Sequence, residues 1–210
     1  MKFTAFCLLL AVAGNDSISL LSVESAPSLT SGPEAHGRPR LAEYTNSGVD
    51  PKNQYNACGQ AAVATVLAAL KVRPPDPGLI KEVYSRYPPN VLGGRLGTGP
   101  GRIQDALTGY GVRWRWAQGE AELKKTLDAG GIAVLLVDTG KAKSEGWSGP
   151  GLHWTVAFAY DDGGVYLSNW PKKECSWANL RRAWDSALTR VVLGVPPWKS
   201  HPAFLVPERG

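Results

Sequence analysis

The stretch Gln54-Tyr55-Asn56-Ala57-Cys58-Gly59-Gln60, followed without a break by the apolar run Ala61 to Leu70, decides how this chain is read. The run keeps helical spacing through Ala62, Val66, Ala69 and Leu70, with Asn56 or Ala57 as its cap. Its alanines permit close packing, as a buried central helix requires, and Arg73-Pro74-Pro75-Asp76-Pro77 ends it. Cys58 therefore stands in the first turn. Unpaired N–H groups and the positive end of the helix dipole favour a thiolate there, so a lowered thiol pKa is expected. Gln54 places a side-chain amide where it could donate to a developing oxyanion.

Outward from this helix, residues 78–87 and 102–108 read as further helices, separated by a glycine-rich loop, Gly93 to Gly101. That loop lacks the Gly-Lys-Ser/Thr ending of a phosphate-binding loop. A strand is expected at Val112 to Trp116, a helix at Glu120 to Ala129, and a central strand at Ile132 to Val137. Asp138 to Gly151 is a polar loop containing Trp147. Leu152 to Tyr160 alternates as a strand, turns through Asp161-Asp162-Gly163-Gly164, and pairs back along Val165 to Asn169. Ser176 caps a helix through Trp184, and Arg190 to Val195 reads as a last strand. Helices first and an antiparallel sheet after them make an α+β domain.

The 210 residues suffice for one domain, and 43% hydrophobic residues are ordinary for a globular one. The net charge of +5 comes from scattered basic residues such as Arg113, Lys124 and Arg182, so no nucleic-acid partner is expected. At the N-terminus, Lys2 precedes the apolar run Phe3 to Ala13, too short for the ~20 residues of a bilayer span. Residues 1–26 read as a secretory signal, hence a secreted or exported protein without a stable membrane span. Residues 27–41 read as a Ser/Pro/Gly linker, 42–198 as the folded domain, and 199–210 as a C-terminal tail. Of the three cysteines, Cys7 falls in the signal. A Cys58–Cys175 bridge stays open on counting alone. His36, His153 and His201 lie on separate segments, so neither a metal site nor a cofactor is expected.

His153 opens one strand of the hairpin and Asn169 closes its partner, nearly equidistant from the turn. Opposed Cβ atoms lie about 5 Å apart, so the Asn169 amide is expected to orient the imidazole, which in turn faces Cys58. Cys58 as nucleophile, His153 as base, Asn169 as orienting residue and Gln54 as oxyanion donor make a thiol acyl-transfer site. Trp154, Trp170 and Gly59, adjacent to these, are candidates for substrate contact, as are the two loops.

At these residues the chain resembles the papain-like cysteine peptidases, specifically the double-glycine-leader (bacteriocin-processing) peptidase-like family. The matching stretches are Gln54 with Cys58-Gly59-Gln60-Ala61-Ala62, His153-Trp154-Thr155-Val156, and Ser168-Asn169-Trp170-Pro171. Gln60 stands where the family has proline, and Asn169 near its aspartate. The resemblance implies a monomeric, papain-like hydrolase of peptide or amide bonds acting through an acyl-enzyme. Two alternatives share these residues: acyl transfer to an amine, as a transglutaminase does, and a catalytically silent domain that binds peptide.

Overall fold

The computed structural model describes residues 35–38, 41–142, 151–172, 174–193 and 203–209. The helical layer is formed by α1 (Cys58–Ala69), α2 (Leu79–Arg86) and α3 (Pro100–Gly109). Every residue of α1 from Cys58 to Ala68 is buried. A helix apolar all round has no solvent face, and its alanines let α2, α3 and the sheet approach closely.

The sheet takes β1 (His36–Gly37), β2 (Val112–Gln118), β3 (Ala133–Asp138), β4 (Leu152–Tyr160), β5 (Gly164–Leu167), β6 (Glu174–Ser176) and β7 (Ala203–Arg209). Its pairings are antiparallel in the order β2-β7-β3-β4-β5-β6, and β1 joins the far end of β4. Side chains alternate between faces along each strand. Val134, Leu136, Trp154, Val156 and Phe158 pack towards α1, α2 and α3. Ala133, Leu135, Val137, Ala157 and Leu167 pack on the opposite side with Leu123 and Leu127 of α4 (Glu120–Asp128) and Leu180 and Trp184 of α5 (Trp177–Trp184). The central strand expected from an unbroken apolar run is β3, covered on both faces.

The α+β class and most elements agree with the expectation; the C-terminal part does not. Residues 190–193 of the last strand expected at Arg190 to Val195 fall instead in the helix α6 (Ala187–Leu193). Ser186 caps it, its hydroxyl accepting from the Thr189 N–H at 3.1 Å. A short β-branched run carries no periodicity of its own, and the cap decides. The last strand is β7, drawn from the segment read as a tail, which fills the gap between β2 and β3. The end of the presumed linker is also built in. His36 and Gly37 pair with Tyr160 and Ala159, Arg38 donates to the carbonyls of Gly130 and Ala69 at 2.7 Å each, and Leu41 is buried. The signal reading of residues 1–26, and Trp147, lie outside the described residues.

Candidate active site

Cys58 is the first residue of α1, and Ala57 before it supplies no side-chain cap, so the helix N-terminus is left to other partners. The backbone N–H groups of Trp154, Gly59 and Cys58 itself are directed at the sulfur. Cys58 and Cys175 are both free thiols, which closes the disulfide alternative. The sulfur's residue lines a cleft of about 370 Å³, together with Tyr55, Arg95, Leu96, Thr98, Leu152 and Trp154. Val192 adds a wall from α6, the helix that the sequence reading took for a strand.

The glycine-rich loop forms much of that wall and is firmly tied down. Asn56 Nδ2 donates to Gly94 O at 2.8 Å, and Gly99 N to Asn90 Oδ1 at 2.9 Å. Trp154 Nε1 donates to Thr98 O at 2.7 Å, and Thr98 Oγ1 to Gln60 Oε1 at 3.2 Å. Gln60 Nε2 in turn donates to Tyr87 O at 2.7 Å. The sequence reading took Asn56 only as a possible helix cap and Gln60 only as a departure from the family's proline, and did not single out Thr98. Their signal was present: a glutamine inside a wholly buried helix must find partners. Gly59 has a packing role here. A Cβ at that position would come within 2.6 Å of Thr98 Cβ, so only glycine admits the loop. It does not line the cleft, and neither does Trp170.

His153 sits one residue before Trp154, opposite Val137, whereas Trp154 stands opposite Leu136. The register thus sends Trp154 towards α1 and places His153 on the α5 side, where its ring lies 6.4 Å from that of Trp170 at 57°. Its Nε2 is 2.9 Å from the backbone carbonyl of Asn169. A carbonyl only accepts, so Nε2 carries the proton and Nδ1 keeps the lone pair of the neutral ring.

This corrects the expected role of the Asn169 amide. Pairing of β4 with β5 runs from Tyr160–Val165 to Ala157–Leu167, with a register shift between Ala157 and Ala159. Beyond it the Ser168 N–H reaches Val156 O, and Asn169 leaves the sheet with φ at +51°. Its side-chain Nδ2 donates to Asn46 Oδ1 at 2.9 Å, and only its carbonyl meets His153. Asp161 does not replace it, because its carboxylate accepts from Gly163 N, Gly164 N and Tyr166 OH.

Gln54 lies half-buried in a single 3-10 segment, Pro51–Asn56, where its side chain makes no hydrogen bond within the described residues and does not line the cleft. The candidates thus fall into two groups, Cys58 with Trp154 and Thr98, and His153 with Asn169 and Trp170. They meet at the peptide linking His153 to Trp154. Thiol and imidazole are not hydrogen-bonded to each other.

Comparison with protein-family models and with curated proteins finds no match. Among solved structures, the chain is similar to the peptidase domain of Streptococcus ComA, described as a bi-functional ABC transporter of a quorum-sensing pathway. It shares 14% identity with that domain over 77% of this chain and 95% of the other, at a TM-score of 0.50. The chain has the papain-like α+β fold. A double glycine motif protease from an AMS/PCAT transporter, solved with its leader peptide, is 17% identical over 83% of this chain and 95% of that one, at a TM-score of 0.49.

Within this papain-like fold the electrostatics differ from the expectation. Burial pushes the Cys58 thiol up, outweighing the N–H groups of Trp154, Gly59 and Cys58 that favour the thiolate. Burial likewise pulls His153 down to about 4, against the raising effect of the Asn169 carbonyl. Both residues are neutral at pH 7. The helix terminus does favour the anion, but desolvation of the buried sulfur is the larger effect. Among the described residues no group of three or more His, Cys, Asp or Glu is placed to hold a metal, and no helix is long and apolar enough to cross a membrane.

Proposed function

We propose that the chain is a thiol-dependent hydrolase of peptide or amide bonds. The placement of Cys58 carries this reading: a free thiol on an open cleft, at the start of a buried helix, one peptide unit from the backbone of His153. The reading requires the thiol to reach His153 Nδ1 while Nε2 keeps its bond to the Asn169 carbonyl. Catalytic contacts commonly tighten only when substrate is bound.

The Cys58 sulfur gives its proton to His153 Nδ1 and attacks the substrate carbonyl carbon. The Cys58 N–H donates to the oxyanion, and Gln54 joins it by a side-chain rotation from its half-buried position. The imidazolium returns the proton to the leaving nitrogen as the C–N bond breaks, leaving a thioester. Water, losing its proton to Nδ1, attacks the thioester; the acid departs and the sulfur regains a proton. His153 Nε2–H stays on the Asn169 carbonyl, which stabilises the transient cation by its dipole.

The similar ComA domain is a peptidase domain, which supports a peptide as substrate here. A digest of a peptide library by wild type and by Cys58→Ala tests the reading: cleavage by the first alone supports it, and cleavage by both or by neither removes it. The neutral resting pair favours a second reading, a silent domain that binds peptide and leaves it intact. Binding of library peptides without cleavage would establish that reading. Export is a further proposal, resting on residues 1–26, and N-terminal sequencing of the chain recovered outside the cell tests it.

A further inference from the structure

Six of the eleven arginines among the described residues hold carboxylates of their own chain: Arg73 and Arg86 pair with Glu82, Arg102 with Asp105, Arg115 with Glu122 and Glu208, Arg181 with Glu120, and Arg190 with Asp185. Arg95 is different. It lines the cleft beside Cys58, is exposed, and its guanidinium has no acidic partner among the described residues. Among the described residues no aspartate or glutamate lines that cleft.

The neighbours of Arg95 are equally unusual. Leu92 and Leu96 are 72% and 67% exposed, and Tyr55, also on the cleft, is 69% exposed. Of the four large exposed hydrophobic side chains among the described residues, Tyr55 and Leu96 line the cleft, Leu92 lies on the same loop as Leu96, and Trp116 is on β2. The loop that presents the two leucines is rigidly braced: Leu96 N and Gly94 N both donate to Val91 O, and Asn90 N and Val91 N both donate to Gly97 O. Leu92 itself holds φ at +46°, a conformation disfavoured for a bulky side chain. Strain and apolar exposure held in place by hydrogen bonds mark a surface shaped for an occupant.

We propose that Arg95, with Leu92 and Leu96, is the specificity element of this cleft and selects peptides in which a bulky apolar residue stands beside an acidic one. The inference rests on the reading above that the cleft receives a peptide. Its chemistry is direct. The leucines and Tyr55 cover an apolar side chain, and the planar guanidinium next to them offers paired N–H donors to a carboxylate. The cleft volume of about 370 Å³ suits a few side chains and not a folded partner.

The test uses the full chain carrying Cys58→Ala, so that binding is read without turnover. Fluorescein-labelled heptapeptides with a central leucine followed by Glu, Gln or Lys are titrated by anisotropy. The Leu-Glu peptide is expected to bind about fivefold more tightly than Leu-Gln, the weight of one partly exposed ion pair, and Leu-Lys more weakly still. Adding Arg95→Gln should abolish the preference, Arg95→Glu should reverse the order, and high salt should flatten it. Equal binding of the Glu and Gln peptides, a preference that survives Arg95→Gln, or no binding at all would overturn the inference. Cleavage is scored separately with the wild-type thiol. Cleavage blind to acidity leaves the hydrolase reading standing and removes this one; Arg95-dependent binding without cleavage does the reverse.

Discussion

The two sides of the peptide between His153 and Trp154 are built on opposite plans. On the Trp154 side, Cys58 faces an open cleft whose wall is a braced, strained loop showing leucine and arginine to solvent. On the His153 side the imidazole is sealed against Trp170 and anchored to the Asn169 carbonyl. Cys58 lines the cleft and His153 does not, although both are buried, and burial keeps both neutral. The difference teaches that adjacency in a papain-like fold is set by the strand, while reactivity is set by what each face excludes.

The sharpest way to break this comparison is to remove either side. Cys58→Ala and His153→Ala should each lower peptide hydrolysis by about 10³-fold or more, measured as initial rates against wild type. Equal activity in either variant would show that the two groups do not act together.

Acid titration probes the sealed side alone. His153 is depressed to about 4 when folded, so below its ordinary value the unfolded chain binds the proton that the folded chain refuses. Stability is therefore full above pH ~6.5 and falls as pH drops from there to about 4, by about 3 kcal/mol in all. Urea unfolding across this window should show the slope, and His153→Gln should flatten it. Cys58 bounds the alkaline side: its raised thiol stays protonated when the unfolded thiol ionises, so stability falls again as pH rises through that range.

On the open side, Gly59→Ala would drive a methyl to within 2.6 Å of Thr98 Cβ, a side chain held by Gln60 and by its carbonyl's bond to Trp154. It should destabilise the fold by about 2 kcal/mol and loosen the cleft wall, read as a lower denaturation midpoint and faster amide exchange at residues 91–98.

The smallest effect concerns Asn169. Because its carbonyl holds the ring and its φ is +51°, Asn169→Gly should retain activity within about threefold, whereas Asn169→Ala should cost about 1 kcal/mol of stability from backbone strain. A loss of about 100-fold in Asn169→Gly would restore the amide to the role first expected of it.

Much of the fold was legible because its signals are local. The proline block after α1, the Asp161 to Gly164 turn, the Ser176 cap and the unbroken β3 run each act within a few residues. The last strand was misplaced because Arg190 to Val195 carries a β-like composition, although the Ser186 cap starts a helix that takes in 190–193, and because β7 is recognisable only by the gap it fills between β2 and β3. Among the site residues, Cys58 and His153 were named by their places on elements. The Asn169 amide was misassigned because equal spacing from a turn ignores the register shift between Ala157 and Ala159. Gln60 was noted only where the family has proline, and its bracing role was missed because its partners, Tyr87 and Thr98, are distant in the chain.

The amino-acid order alone thus determined the class of the fold, the helix that carries the thiol and the strand that carries the imidazole, since periodicity, caps and turns are properties of neighbouring residues. Only the tertiary structure decided which carbonyl holds the ring, which loop walls the cleft, and that the thiol is raised instead of lowered. Those outcomes depend on hydrogen-bond partners and on desolvation, and both come from segments that meet only when the chain is folded.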